Sequence, residues 1–329
     1  MIKKTFIKQI VTSAVLLHAM AVLAQTDPAQ NYPNRSIRVV LPYPAGGTSD
    51  ILVRLIGQKL TEKWNQQIVV EARPGAGGLI GTEVVARTQP DGYTLLATEL
   101  GSVMVSFLSH PKPSFDYLRD LTPVMAIAYS PHAFCAHPNL PAKNIKELIA
   151  LAKQRPGQLN FAASLAGMPL MAGLDFANRA GIRWVYITGR GGMQTIMDVV
   201  SGQADLFFNG MLPTVPFIKS GRLRLLAVSS EQRIAGFLDT PTVAESGMPG
   251  FFTGSWQGVL APAGTPPEIV AKLHAEMSRA LATPDLKERL AQQATEPRYT
   301  SPAETGKALI AERDRLVKLI RDTNFKPGA

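Results

Sequence analysis

The residues best suited to chemistry lie in one short run, Ala45-Gly46-Gly47-Thr48-Ser49-Asp50. Its reagents are backbone amides rather than side chains. The run follows Ile37-Arg38-Val39-Val40-Leu41, an apolar stretch with little alternation, as in a parallel strand covered on both faces. Pro42 and Pro44 stop that strand. Ile51, Leu52, Leu55, Ile56 and Leu60 then recur at helical spacing, so a helix starts near Thr48. A strand passing through a glycine-rich turn into a helix aims free N–H groups, and the positive end of the helix dipole, at the space above the strand. A carboxylate or phosphate fits there without a charged side chain. A purely structural reading stays open beside this one: Gly46 and Gly47 allow a tight turn, and Thr48, Ser49 or Asp50 caps the helix.

Other chemistry is hard to find. The chain has no His-Glu-x-x-His, no Cys-x-x-Cys and no Gly-x-Ser-x-Gly elbow. Asp50 has no evident partner for general-base work, and helix capping is its expected job. His132 and His137 lie five apart in a proline-rich stretch, where a surface or packing role is expected, and His110 and His274 have no ligand partner at helical spacing. Gly75-x-Gly77 invites a dinucleotide reading, but the third glycine falls at Gly81, one place late, and no Gly-Lys-Ser/Thr makes a P-loop. Close backbone packing is the better account of these glycines, with a ligand contact as a secondary role. No catalytic residue, metal or cofactor is expected, and the chain does not read as an enzyme.

Composition narrows the setting. Residues 1–24 hold Lys3, Lys4 and Lys8, then an apolar run, then Val22-Leu23-Ala24 before Gln25. This is the pattern of a cleaved secretory signal, with an apolar core too short for a membrane span. Losing three lysines and no acid takes the formal charge from +9 to +6. The remaining length suffices for two domains. The basic charge is spread rather than clustered, which favours acidic ligands in general and excludes nucleic acid as a partner. The single Cys135 cannot form an internal disulfide, and an exported chain without disulfides suits a bacterial periplasm. Its apolar surroundings predict a buried, inert thiol.

The elements that must position the first run repeat one logic. Gln67-Ile68-Val69-Val70-Glu71 and Thr94-Leu95-Leu96-Ala97-Thr98 read as strands, with a helix over 79–87 between them. Three such βα units describe a doubly wound sheet in strand order 2-1-3, which sets Thr98 beside the Gly46-Gly47 turn. The apolar stretch 121–136 reads as a crossing into a second domain. There helices are expected over 144–154, 170–180 and 193–201. Strands are expected at Leu159-Asn160-Phe161-Ala162-Ala163, over 183–187, and at Asp205-Leu206-Phe207-Phe208 leading to Asn209. Leu223 to Val228 carries the chain back, Ser255 to Pro262 adds a strand to the first domain, and 267–282 and 302–323 are amphipathic helices. Residues 25–125 plus 229–329 form domain 1 and residues 126–228 domain 2, two α/β units hinged around a cleft.

Several segments in combination resemble the periplasmic receptors of tripartite tricarboxylate transporters, the Bug family. They are Tyr32-Pro33-Asn34-Arg35-Ser36-Ile37, Pro42-Tyr43-Pro44-Ala45-Gly46-Gly47-Thr48-Ser49-Asp50, Arg73-Pro74-Gly75-Ala76-Gly77-Gly78-Leu79-Ile80-Gly81 and Pro90-Asp91-Gly92-Tyr93-Thr94-Leu95-Leu96. Pro241-Thr242-Val243-Ala244-Glu245-Ser246-Gly247-Met248-Pro249-Gly250 and Ala261-Pro262-Ala263-Gly264-Thr265-Pro266 complete the set. The resemblance spans nearly the whole mature chain. It implies a two-domain type II periplasmic binding protein (a Venus flytrap), each domain a doubly wound sheet with flanking helices. It also implies a small organic carboxylate as ligand, held between the domains and gripped by first-domain backbone groups.

Two departures stand out. Where the family places donors and a His before the second-domain helix, this chain has Ser164, Ala166, Gly167 and Leu170, and the family's Pro-Tyr-Lys-Gly-Gly turn is Thr188-Gly189-Arg190-Gly191-Gly192. Both remove bulk or polarity and lean towards a bulky or aromatic carboxylate, with Arg190 available to a distal one. The expected ligand-binding residues are Tyr43, Ala45, Gly46, Gly47, Thr48, Ser49, Asp50, Thr98, Ala163, Ser164, Gly167, Thr188, Gly189, Arg190, Gly192 and Asn209. A periplasmic monomer is expected, handing its ligand to the membrane components of a tripartite transporter or, alternatively, to a sensor protein; an enzyme on the same fold is the less favoured alternative and needs a convergent acid/base pair in the cleft.

Overall fold

The structure, a computed structural model, describes residues 28–164, 167–189 and 191–322. The signal segment, Ala166, Arg190 and Thr323 lie outside the described residues. Strand β1 (Ile37–Leu41) lies between β2 (Ile68–Ala72) and β3 (Thr94–Glu99), parallel to both, in the expected 2-1-3 order. Helix α1 (Thr48–Trp64) follows β1, and α2 (Leu79–Ala86) follows β2 after a 3-10 turn at Ala76–Gly78. Helix α1 buries Leu52, Val53, Ile56 and Leu60 against Ile37, Val39 and Leu95 of the sheet. Helix α3 (Leu100–Ser109) follows β3 with no loop at all, an element the sequence reading did not separate.

The stretch read as a crossing is one long strand, β4 (Leu121–Ala136). Leu121 to Pro131 pair antiparallel with the strand Gly254–Pro262, and His132 to Ala136 pair antiparallel with the strand Leu206–Gly210. One strand thus belongs to both sheets, and its two ends pack in different cores. Beyond it come α4 (Ile145–Gln154), β5 (Asn160–Ser164), α5 (Met168–Ala180), β6 (Val185–Gly189), α6 (Gly192–Val200) and β7 (Leu206–Gly210). Strand β5 lies between β6 and β7, parallel to both, so the second half repeats the arrangement of the first. After α7 (Met211–Lys219), β8 (Arg224–Val228) pairs with β4 in this second sheet.

Val243, Met248 and Phe251 still pack in the second core, with Phe208 stacked between Phe134 and Phe251 at centroid distances of 4.1 and 5.8 Å. The chain re-enters the first sheet as β9 (Gly254–Pro262), between β3 and β4. It closes with α8 (Pro267–Leu281), α9 (Pro284–Ala291), the short β10 (Glu296–Pro297) and α10 (Pro302–Asp322). Helix α8 covers α1 and the sheet through Ile269, Val270, Leu273 and Met277. Apolar clusters cover the faces of each half-sheet, one of them joining α3 of the first half to Met168 and Met171 of α5, and leave the strand ends facing one another across a cleft.

Candidate functional site

A cavity of about 560 Å³ lies where the two halves meet. Four helices begin at its wall: α1 and α3 from the first half, α5 and α6 from the second. Each exposes up to four N–H groups that its own ladder cannot satisfy.

Two of the four ends are served by side chains. At α3, Glu99 accepts from the amides of Gly101 and Ser102, both at 3.0 Å, and from the Ser102 hydroxyl. At α5, the Met168 amide donates to Ser102 Oγ at 2.9 Å, and Pro169 in the next position has no N–H. The other two ends are bare. Helix α1 is preceded by Gly47 and α6 by Gly191, neither with a side-chain cap, and the amides of Thr48 and Ser49 and of Gly192 and Met193 have no acceptor among the described residues. One bare end lies in each half.

The expected turn is present, with its roles redistributed. The left-handed residue is Gly46 (φ 90°), while Gly47 is extended at φ −80° and a Cβ on it would meet open space. Gly46 does not line the cavity: its N–H is taken by Asp50 Oδ2 at 2.8 Å. Asp50 therefore reaches back to brace the turn and caps no amide of the helix, unlike the capping role expected of it, and its other oxygen pairs with Arg54 at 2.6 Å. Ser49 donates to Gln257 Oε1 at 2.6 Å, and the Gln257 NH₂ at the cavity wall has no acceptor among the described residues.

Of the expected residues, Tyr43, Gly47, Thr48, Ser49, Asp50, Ser164, Gly167, Thr188, Gly189, Gly192 and Asn209 line the cavity. Ala45 is exposed outside it. Thr98 and Ala163 are fully buried one residue short of it, because alternate strand residues face opposite ways. Leu170, at the family's His position, is likewise buried in the second core. Asn209 holds rather than points: it donates to Gly192 O and accepts from Gly210 N, both at 2.8 Å.

Sequence reading missed Glu99, Ser102, Pro169, Ser255 and Gln257, and underrated the Gly75-Ala76-Gly77-Gly78 turn, all of which line the cavity. The turn carries positive φ at all four positions, and behind it Gly81 packs so tightly that a Cβ would lie 2.6 Å from Arg73 O. Glu99 had a readable signal, an acid on the joint between a strand and a helix; the β9 residues, brought in from more than 150 positions away, had none.

Burial dominates the electrostatics. It pushes Glu99 up to about 8, against the three hydrogen bonds that favour its charged form and with help from the charge of Glu312. Tyr43 is raised by burial and then by Glu99, and its buried hydroxyl makes no hydrogen bond of normal geometry. His132, expected to have a surface or packing role, is wholly buried on β4, with Nδ1 and Nε2 each 3.0 Å from the hydroxyls of Thr253 and Ser255. Burial and then the charge of Arg315 hold it neutral, down to about 3. Cys135 is fully buried and its thiol raised by burial, the inert role expected of it.

Two α/β halves sharing a crossing strand, with helix N-termini facing one cleft, define the periplasmic binding protein class. Solved structures agree. Rpa4515 of R. palustris with adipate matches at TM-score 0.86 and 30% identity, covering 90% of this chain and 100% of that one. MatC from Rhodopseudomonas palustris with bound malate matches at TM-score 0.83 and 29% identity, covering 88% and 100%. Protein BugT of Bordetella pertussis is 33% identical over 311 residues, 94% of this chain and 95% of that protein. The family model described as tripartite tricarboxylate transporter family receptor matches residues 52–325. The chain belongs to that family.

Proposed function

We propose that this protein captures a small organic carboxylate in its cleft within the periplasm and delivers it to the membrane components of a tripartite transporter, without catalysing a reaction. The observation that carries this is the pair of bare helix N-termini, α1 in one half and α6 in the other, facing a single cavity. Helix ends of this kind bind anions through oriented amides and the helix dipole. Two ends in opposite halves suit a ligand anionic at both ends, and the relatives with adipate and malate support that.

The ligand's body is the finer question. Gly189 lines the cavity where the family has tyrosine, and a Cβ there meets nothing closer than 3.4 Å. That room favours a bulky or aromatic acid such as phthalate, which gains about 25 cal/mol per Å² of apolar surface buried. Mass spectrometry of co-purifying ligand, followed by side-by-side calorimetric titration of phthalate, citrate, malate and glutamate, tests both levels. Tighter binding of any of the last three removes the aromatic preference and leaves the receptor reading standing. Failure of every carboxylate to bind removes both.

A further inference from the structure

We propose that Glu99 is the proton-bearing residue of the cavity: it meets an anionic ligand as the neutral carboxyl acid, so capture of a dicarboxylate at alkaline pH draws one proton into the cleft. This rests on the receptor reading above and deepens it.

The geometry carries the argument. Glu99 lines the cavity yet is only 7% exposed, and no basic side chain pairs with it among the described residues. The titratable and charged groups that face it are Tyr43 from the turn after β1, Tyr117 from the loop before β4, and Glu312 and Arg315 from α10. Arg315 is the one cation among them, and its guanidinium is engaged by Glu312 at 2.6 and 2.8 Å. Glu99 is therefore a buried acid among phenols, a second acid and a cation already paired with that second acid.

The rest of the wall attracts anions. The turn Ala76–Gly78, the end of α1 and the NH₂ of Gln257 all border the same space as Glu99, and the one other carboxylate on the wall among the described residues, Asp50, is neutralised by Arg54 and the Gly46 amide. The Ala76–Gly78 turn is tied to α3 by Ser106 Oγ, which donates to Gly77 O at 2.7 Å. A carboxylate held there stands next to Glu99. Two carboxylates that share a buried site cannot both stay ionised, and one takes a proton. Glu99 has a place for it: Oε2 accepts from both the amide and the hydroxyl of Ser102, whereas Oε1 accepts only from Gly101. A proton on Oε1 turns the acid from a repelling charge into a donor. Burial already biases the ligand-free residue the same way. No bond other than O–H changes; the proton comes from solvent and leaves when the cleft opens.

The test uses adipate, malate and phthalate as probes on the mature protein by calorimetry from pH 6 to 9.5. The expected result is near-constant affinity up to about pH 8, then about tenfold weakening per pH unit. At pH 9 about one proton should be taken up per ligand, read from heats in buffers of different ionisation enthalpy. E99Q should bind with a flat profile and no uptake. Carbon-13 NMR of the ligand-free wild type, which needs no variant, should show one glutamate carboxyl titrating well above the others and missing from E99Q. Flat wild-type affinity, or a Glu99 carboxyl titrating near 4, overturns the proposal. Stronger binding of amino acids than of diacids, lost in E99Q, also overturns it and makes Glu99 an ammonium partner instead. If no acid binds at any pH, the receptor reading falls and this inference falls with it.

Discussion

The amide of Met168 donates to the hydroxyl oxygen of Ser102 at 2.9 Å, and this bond joins α5 of the second half to α3 of the first half at the cavity wall. Ser102 thereby caps α5 from across the cleft, while its own hydroxyl proton goes to Glu99. The contact between the halves thus supplies the acceptor for the first amide of α5.

Ser102→Ala should therefore loosen closure. Loss of one such hydrogen bond costs about 1 kcal/mol, equivalent to roughly a fivefold loss of affinity for adipate or malate. Small-angle scattering of the ligand-free variant should give a larger radius of gyration than wild type, and saturating ligand should shrink both. Identical curves in all four states would mean a cleft that does not move.

The two turn glycines should fail differently. Gly46→Ala forces a side chain into φ 90° and should cost about 1 kcal/mol or more of stability in urea unfolding. Gly47→Val has an ordinary backbone and open space at Cβ, so stability should hold within about 0.5 kcal/mol while carboxylate affinity falls because the cavity is filled. A stable Gly47→Val with full affinity would place the ligand elsewhere.

His132 should make the protein acid-sensitive. Its folded pKa, about 3, lies below the unfolded 6.5, so the unfolded chain binds the extra proton between those values. Stability then rises with pH across that window, by about 1.4 kcal/mol per unit, and is fully present above 6.5. Urea unfolding at pH 7 and pH 5 checks this, with His132→Asn expected to lose less stability between the two than wild type.

Gly189→Tyr restores the family's bulk at the cavity wall. It should weaken phthalate by tenfold or more and leave malate within about threefold, because overpacking costs about 1–3 kcal/mol for the larger ligand. Equal losses for both acids, measured by calorimetry, would show that this wall does not set the preference.

The sequence by itself determined the local units. The short, mostly apolar run Ile37 to Leu41, stopped by Pro42 and Pro44, is too short for a helix and reads as a strand covered on both faces, and a glycine-rich turn before a 3.6-residue apolar period leads into a helix. From those came the 2-1-3 order, the second half's repeat of strand, glycine-bearing turn and helix, and the expectation of an anion grip on the run Ala45 to Asp50. Tertiary structure decided which amides stay free. Gly46 was as good a candidate as Gly47 until Asp50 took its N–H, and the first amide of α5 is taken by Ser102 from the other half. It also decided which residue of each strand end faces the cavity: Thr98 and Ala163 turned inward and Glu99 and Ser164 outward, a choice of parity that one residue of register reverses. Gln257 came to Ser49 from 208 positions away through the pairing of β9 with β3, and no local pattern encodes such a meeting. Periodicity fixes elements because it is written in neighbours; a site assembled from four helix ends depends on how the sheets stack.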